Sequence, residues 1–483
     1  MHLPSVQRAL GILLMLFSIV MLIPLPVDAW YEEHSSRHFV LSFIIILTIG
    51  FLLWLPSRNT RGETHLKEAF LMVVLAWIVL GIFAALPLYL SDNPKMTLHD
   101  AVFEALSGLT TTGASVLPSL DNIPHAILFY RQLLQWIGGL GIIVIAITIA
   151  PMLGVGSMQL YRTEMLSSAR KTKPLPRVSE ISRMLVYIYL SLTALCALAY
   201  WLAGMSKFDA LCHSFSTISI GGFSTHDQNF GYFAHNPAIL VITIVFMLIA
   251  GVNFSLHFLA WHRRSLTVYK RDTEFKVFLS VVLIVVAFTV SYIYTAGIDT
   301  AQNSALVGAF NAVSFATTTG YTATSHHTWM GFIPLLLLFA SSIGGCSGST
   351  GGGMKVIRFW LLLRQGIREM KQLVHPSACV LVKIDDMALS NRVIQSVWGF
   401  FSAYIGSIIV ILLLLMSMGL DQETAFSATM ATINNLGPGL GSVGENYATI
   451  GDINKWILCF AMILGRLEIF ALLILFTPMF WRK

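Results

Sequence analysis

The chain has 483 residues, of which 56% are hydrophobic and only 11% are charged, and its formal net charge is +6. Because a soluble globular domain carries roughly 25% charged residues, this composition predicts one membrane domain surrounded by lipid. The positive charge does not indicate a nucleic-acid partner, since the basic residues lie in short segments between apolar runs. Five isolated cysteines without CxxC spacing indicate neither a disulfide framework nor a zinc site.

Long stretches without Asp, Glu, Lys or Arg predict membrane spans, each of which needs about 20 residues. There are ten such stretches if the last one is included, although it contains Arg466 and Glu468. In chain order they cover 9–27, 38–57, 69–91, 132–161, 184–206, 228–262, 277–298, 300–354, 393–420 and 456–481. The first is longer than the core of a secretory signal, which favours a span over a cleaved leader. With 55 residues, 300–354 is too long for one crossing and must include a re-entrant part.

The basic residues set the predicted orientation. If the N-terminus is cytoplasmic, the loops on that side hold 24 of the 30 Lys and Arg residues, and the loops on the other side hold five. Because positively charged loops stay on the cytoplasmic side, both termini are predicted to be cytoplasmic. This rule alone accounts for the basic loops 162–183, 262–276 and 355–392 without a further function.

Four external segments share one pattern, a short helix followed by a glycine turn. They cover 100–115, 209–224, 307–322 and 424–439. Their reference glycines, Gly113, Gly222, Gly320 and Gly437, lie 109, 98 and 117 residues apart, which indicates an internal repeat. A helix of about 12 residues cannot cross a bilayer, so each segment must enter and turn back. Non-helical backbone at membrane depth is tolerated only where it is buried in protein or lines water, and four copies around one axis provide that setting.

The sequence therefore predicts an all-α integral membrane protein of about ten transmembrane helices. Four pseudo-symmetric helix, pore loop, helix repeats surround one pore, and two extra helices precede them. The predicted domains are the two N-terminal helices (1–68), repeat 1 (69–161), repeat 2 with its preceding cytoplasmic loop (162–262), repeat 3 with an interrupted second helix (263–363), and the basic loop with repeat 4 (364–483).

The glycine turns predict a cation pathway. The C-terminal dipoles of the short helices favour a cation, and an extended stretch before each glycine can present backbone carbonyls in place of an ion's hydration shell. Thr318-Thr319-Gly320-Tyr321 resembles the TVGYG loop of potassium channels but lacks its second glycine. We therefore expect a shorter filter with only moderate discrimination between potassium and sodium.

The filters, together with the stretches 125–144, 344–358, 434–441 and 465–470, resemble the Trk/Ktr/HKT superfamily of potassium transporters along the whole chain. The resemblance implies potassium uptake across the bacterial inner membrane by a homodimer, gated by a cytosolic nucleotide-binding ring protein similar to TrkA. It assigns potassium to the carbonyls of four filter loops: Thr111, Thr112 and Gly113; Ile220, Gly221 and Gly222; Thr318, Thr319 and Gly320; Asn435, Leu436 and Gly437. Ile220-Gly221 and Asn435-Leu436 depart from strict repetition and put fourfold equivalence in doubt.

A glycine-rich run interrupts the second helix of repeat 3. It comprises Gly344, Gly345, Cys346, Ser347, Gly348, Ser349, Thr350, Gly351, Gly352 and Gly353, here called the gate loop. Glycine costs about 1 kcal/mol relative to alanine inside a helix, so this run breaks the helix. A flexible polar loop below the filter can obstruct it, and the resemblance favours this gate over close packing against a neighbouring helix. The loop does not bind nucleotide, because Met354 stands where a phosphate-binding loop requires lysine.

Charged residues inside spans need partners or a functional role. Arg466 and Glu468 would point about 200° apart on a helix and should not pair. The resemblance places Arg466 beside the pore, where its charge would raise the barrier to potassium; a salt bridge to another repeat is the alternative. We interpret Arg131 as an anchor at the membrane surface, and His326 and His327 as solvent-exposed residues.

Two other classes of function remain to be weighed. An alternating-access cation symporter, coupled to protons or sodium, also uses repeats and broken helices, but commonly in inverted pairs. A membrane enzyme has no support, since the spans contain no HExxH motif or nucleophile elbow. The basic stretch 364–371, which follows the gate loop, is the first candidate for a surface that meets the regulator.

Overall fold

The structure is a computed structural model that describes residues 3–33, 35–59, 66–148, 178–297, 301–329, 331–384 and 387–482. The regular secondary structure of the described part is helical apart from a short antiparallel hairpin of Lys383–Ile384 and Met387–Ala388. The predicted boundary between repeats 1 and 2, at 161/162, and most of the basic loop 162–183 lie outside the described residues.

The chain begins with two packed helical spans. Their helices are Leu3–Ser18, Leu25–Tyr31 and Ser36–Trp54. A Cβ atom at Gly11 would come within 3.0 Å of the carbonyl oxygen of Gly50, so the two backbones touch. Small residues that allow such close approach are typical of helix pairs in membranes.

Each repeat has a first span, a short pore helix and a second span. Repeat 1 consists of Leu66–Ala84 with Leu86–Leu90, then Leu98–Leu109, then His125–Thr148. Repeat 2 consists of Val178–Leu202, Lys207–Ser219, and Pro237–Gly251 with Phe254–Arg263. Repeat 3 consists of Thr267–Arg271 with Thr273–Thr295, then Ala301–Ala316, then Ile333–Ile343 and Val356–Val374. Repeat 4 consists of Asn391–Ser417, Gln422–Ile433, and Asp452–Arg466 with Phe470–Leu473 and Pro478–Trp481.

The predicted all-α membrane fold is confirmed, although three of the ten predicted spans are broken. Among the described residues, seven helices are long and apolar enough to cross a membrane unbroken. The second spans of repeats 2 and 4 are bent by 93° and 110°. In repeat 3 the apolar helix Ile333–Ile343 ends at the gate loop. The sequence predicted only this last interruption.

Side-chain caps stabilise the N-terminal ends of three pore helices. Thr97, Ser206 and Asp421 accept backbone N–H groups at the starts of the first, second and fourth pore helices. Such caps satisfy N–H groups that have no partner inside the helix. The C-terminal ends of all four pore helices, where the chain continues into the filter loops, are buried.

Candidate functional site

The four filter loops close a ring in the middle of the protein. Each reference glycine lies so close to a carbonyl oxygen of the next repeat that an added Cβ would come within 3.0 Å of it. The pairs are Gly113 with Gly221, Gly222 with Thr319, Gly320 with Leu436, and Gly437 with Thr112. Because the last pair returns to repeat 1, the loops surround one axis, as the predicted four-repeat fold requires.

The backbone of the filter loops is the same in all four repeats. Their first residues have left-handed φ values: Thr111 53°, Ile220 55°, Thr318 65° and Asn435 51°. The reference glycines also have positive φ, from 80° to 99°. The prediction of an extended stretch is therefore wrong for the first position, where the chain leaves the pore helix through a left-handed residue. β-branched residues in this conformation are strained, which is common at functional sites.

Equivalent hydrogen bonds fix this backbone. The N–H of the second filter residue donates to the carbonyl five residues earlier in every repeat. The pairs are Thr112 to Ser107 (2.8 Å), Gly221 to Ser216 (2.8 Å), Thr319 to Ser314 (2.7 Å), and Leu436 to Ala431 (2.8 Å). These backbone bonds do not depend on side-chain type, so Ile220-Gly221 and Asn435-Leu436 do not disturb the equivalence of the four backbones, contrary to our expectation.

In three repeats, a polar residue nine positions before the reference glycine forms a hydrogen bond with the segment that follows the filter loop. Glu104 accepts the N–H of Val116 at 2.9 Å, and Asn311 accepts the N–H of Ala323 at 3.0 Å. In repeat 2 the equivalent His213 contacts the hydroxyl of Ser224 at 3.1 Å. In repeat 4 a hydroxyl one position earlier, Ser427, accepts the N–H of Leu440 at 2.9 Å. Sequence reasoning missed these residues, although three of them share one offset from the glycine.

Arg131 contacts one of these polar residues, Glu104, and its interpretation as a surface anchor is wrong. Its side chain is 1% exposed and forms an ion pair with Glu104 at 2.7 Å. The guanidinium also lies 4.1 Å from the centre of the Phe223 ring. Arg131 therefore joins the loops of repeats 1 and 2, and the apolar neighbours in its sequence did not reveal this buried partner.

The gate loop lies directly against the C-terminal ends of three pore helices. Apart from Gly348 and Gly353, its residues are buried. Its contacts are Thr350 Oγ1 to the Ile218 carbonyl (3.0 Å), Gly352 N–H to Thr318 Oγ1 (2.7 Å), and Gly353 N–H to the Asn434 carbonyl (3.2 Å). The interruption predicted from the glycines thus sits against repeats 2, 3 and 4.

The break in the second span of repeat 2 pairs with the gate loop. The carbonyl of Gly251 accepts the N–H of Cys346 at 2.9 Å, and the N–H of Phe254 donates to the carbonyl of Gly348 at 3.1 Å. A helix break leaves backbone groups without partners, and here the gate loop supplies them. This contact between distant segments explains why the sequence of repeat 2 alone did not predict the break.

Arg466 lies at the break in repeat 4 and reaches the gate loop. One guanidinium nitrogen donates to the carbonyl of Thr350 at 3.0 Å, whereas Nε and Nη2 have no hydrogen-bond partner in the part of the chain that the structure describes. Glu468 instead pairs with Arg358 on the helix that follows the gate loop. Arg466 and Glu468 therefore have separate partners as predicted, but they do not share one continuous helix, since Glu468 has a φ of 52°.

A cavity of about 660 Å³ opens on the other side of the ring from the gate loop. It is lined by the four reference glycines and by polar residues that include Asp227 and Glu445. The prediction that His326 is exposed is wrong, because it is 1% exposed and its Nε2 contacts the carbonyl of Gly439 at 3.1 Å. His326 thus supports the loop after the fourth filter.

Four re-entrant helices that end at one closed ring of loops, with a polar loop beneath the ring, define a membrane protein of the pore-loop class. Residues 35–483 match the family TrkH, described as a cation transport protein, and the chain belongs to this family. The resemblance to Trk-type transporters is confirmed.

Named relatives and a solved structure cover the whole chain. It is 50% identical over 484 residues to the Trk system potassium uptake protein TrkH of Salmonella typhimurium, with all of both chains covered. The TrkG protein of Escherichia coli K12 is 37% identical over 482 residues, which is 100% of this chain and 99% of that protein. The crystal structure of the potassium transporter TrkH from Vibrio parahaemolyticus matches with a TM-score of 0.93 and 47% identity over all of both chains.

Proposed function

We propose that this chain takes up potassium across the bacterial inner membrane through a single pore. The observation that carries the proposal is the closed ring of four filter loops with one shared backbone conformation. The relatives named as potassium uptake proteins, which match along their full length, support potassium as the transported ion.

The ring suits a monovalent cation for physical reasons. Four pore helices end at it, and their C-terminal carbonyl dipoles lower the energy of a positive charge there. The carbonyls of the four filter loops can replace water around potassium as it loses its hydration shell. The filter is one glycine shorter than a full potassium-channel loop, so we expect moderate selectivity over sodium.

The gate loop and Arg466 control passage in this proposal. The gate loop fills the space under repeats 2, 3 and 4, and Arg466 holds it through the Thr350 carbonyl. The two unpaired guanidinium nitrogens of Arg466 add positive charge on the inner side of the filter. A cation that leaves the filter meets both a steric and an electrostatic barrier, so the described conformation is closed.

Opening of the gate loop requires free energy from a partner or ligand, because the loop is hydrogen-bonded to repeats 2, 3 and 4. A cytosolic nucleotide-binding ring resembling TrkA is the proposed source, and the basic helix after the gate loop is its proposed contact. We further propose that the chain works as a homodimer with one pore in each protomer, with both termini in the cytoplasm. The chain itself performs no chemistry on potassium and binds no nucleotide.

The test is electrical recording of the purified full-length chain in planar bilayers under a potassium gradient, with and without the regulator and its nucleotide. Unitary currents that reverse near the potassium equilibrium potential support the pore. Flux that requires a proton or sodium gradient and shows no unitary current would support the alternating-access symporter instead.

A further inference from the structure

The filter loop of repeat 2 lacks a side chain where the other repeats have one. Its second residue is Gly221, whereas Thr112, Thr319 and Leu436 stand at this position elsewhere. A Cβ at Gly221 would come within 3.0 Å of three side-chain atoms of Gln135. Gln135, from the second span of repeat 1, therefore occupies the space that the filter residue leaves empty.

The contacts of Gln135 fix the orientation of its amide. Its Oε1 accepts the N–H of Phe223 at 3.2 Å and the hydroxyl of Ser216 at 2.7 Å. Because a backbone N–H can only donate, the oxygen must face Phe223 and the nitrogen must point the other way. The Nε2 group donates to the carbonyl of Gly221 at 2.6 Å, and the whole side chain is buried.

This bond makes the carbonyl of Gly221 different from its equivalents. In repeats 1 and 3 the hydroxyls of Thr112 and Thr319 bond to the hydroxyls of Thr110 and Thr317 in their own loops. Within the described ranges, no side-chain donor reaches the carbonyls of Thr112, Thr319 or Leu436. One of the four carbonyls at this level of the filter thus accepts a fixed hydrogen bond from a side-chain amide, and the other three do not.

We propose that Gln135 is a specificity-determining residue that favours potassium over sodium by restraining and weakening the Gly221 carbonyl as a cation ligand. This proposal rests on the proposed function. The amide proton lowers the negative potential that the carbonyl presents to an ion, and a ring of lower field strength favours the larger cation. The bond also prevents the carbonyl from moving inward toward a smaller ion, so both effects act in the same direction.

The test compares sodium-to-potassium permeability ratios, obtained from reversal potentials of the full-length chain in bilayers with the regulator present. The main variant is Gln135→Met, which keeps the shape and removes the donor. We expect its ratio to rise on the order of fivefold, the factor that corresponds to the net value of one hydrogen bond.

A neighbouring residue provides the matched control. Gln132 lies one turn earlier on the same helix and is equally buried. Its Oε1 lies 2.6 Å from the Ser216 hydroxyl, whose single proton it shares with Gln135, and its Nε2 has no described partner. Gln132→Met should leave the permeability ratio at the wild-type value. A second variant, Gln135→Ala with Gly221→Thr, refills the space in the pattern of repeats 1 and 3. It should raise the ratio as Gln135→Met does, and it tests the proposal if Gln135→Met does not fold.

The outcomes separate this proposal from the proposed function. If folded Gln135→Met or the double variant keeps the wild-type ratio while potassium current persists, the role of Gln135 is overturned and the pore stands. An equal shift in Gln132→Met overturns it too, because general packing of the helix would then be the cause. If the wild-type chain carries no potassium current, the proposed function fails and this inference fails with it.

Discussion

The side-chain Oε1 of Glu274 accepts a hydrogen bond from the backbone N–H of Ser347 at 2.6 Å. Glu274 is the second residue of the helix Thr273–Thr295, within the basic stretch 262–276, and Ser347 lies in the gate loop. The beginning of one span is therefore bonded to the segment that lies under the filter. A movement of this helix end would therefore act directly on the gate loop.

Loss of this bond should loosen the gate. Without Glu274 the buried N–H of Ser347 loses its acceptor, which costs about 1–3 kcal/mol, so we expect Glu274→Ala to raise rubidium uptake without the regulator on the order of tenfold. Uptake is measured in proteoliposomes that contain a matched amount of folded protein. The control is Lys276→Ala, two residues away and exposed, which should not change uptake. Equal uptake by Glu274→Ala and the wild type would show that this bond does not hold the gate.

Removal of the charge at Arg466 should also raise flux. In Arg466→Met, the bond to the Thr350 carbonyl and the positive charge near the pathway are both lost. A unit charge acts over several ångströms with an energy of about 2 kcal/mol at an effective dielectric constant of about 20, so an increase on the order of tenfold is expected in regulator-free uptake. The exposed Arg183, changed to Met, serves as the control. A flux no higher than that of the wild type would exclude a barrier role for Arg466.

The Glu104–Arg131 pair should stabilise the folded protein rather than select ions. Removing one partner of a buried ion pair costs about 3–5 kcal/mol, because the other charge is left unpaired. Arg131→Met should therefore lower the melting temperature in detergent strongly. Adding Glu104→Gln, whose amide oxygen can still accept the N–H of Val116, should recover part of the loss. A double variant less stable than Arg131→Met would contradict this assignment.

The reference glycines should not tolerate a side chain. At Gly320 an added methyl group would overlap the Leu436 carbonyl, and the φ of 81° disfavours any residue with a Cβ. Gly320→Ala should reduce potassium uptake to near background in cells that depend on this chain for growth at low potassium. Gly406→Ala, in the helix Asn391–Ser417, is the matched control, because no atom lies within 4 Å of its added Cβ. Normal growth with Gly320→Ala would argue against a rigid ring.

The sequence predicted the features that repeat and missed those that depend on contacts between repeats. Spacing around the glycines was enough to find the four pore helices, and the run of glycines was enough to find the gate loop. The bend before Phe254 and the burial of Arg131 were not predicted, because their partners, Gly348 and Glu104, lie far away in the sequence. Helical periodicity cannot reveal such bonds.

For the filter loops, too, the sequence alone did not reveal the contacts that decide the structure. Side-chain differences at Ile220 and Asn435 suggested unequal filter loops, but backbone hydrogen bonds to the preceding helix impose one conformation on all four. The glutamine that fills the space beside Gly221 comes from another repeat, so no comparison of the filter sequences alone could identify it.

The most direct measurement is an experimental structure determined in rubidium or thallium salt, with a sodium-salt structure as the reference. We predict density for the heavy monovalent cation on the axis of the ring, coordinated by carbonyls of all four filter loops and reduced in the sodium form. Heavy-cation density that lies only outside the ring, with none between Gly113, Gly222, Gly320 and Gly437, would contradict the account.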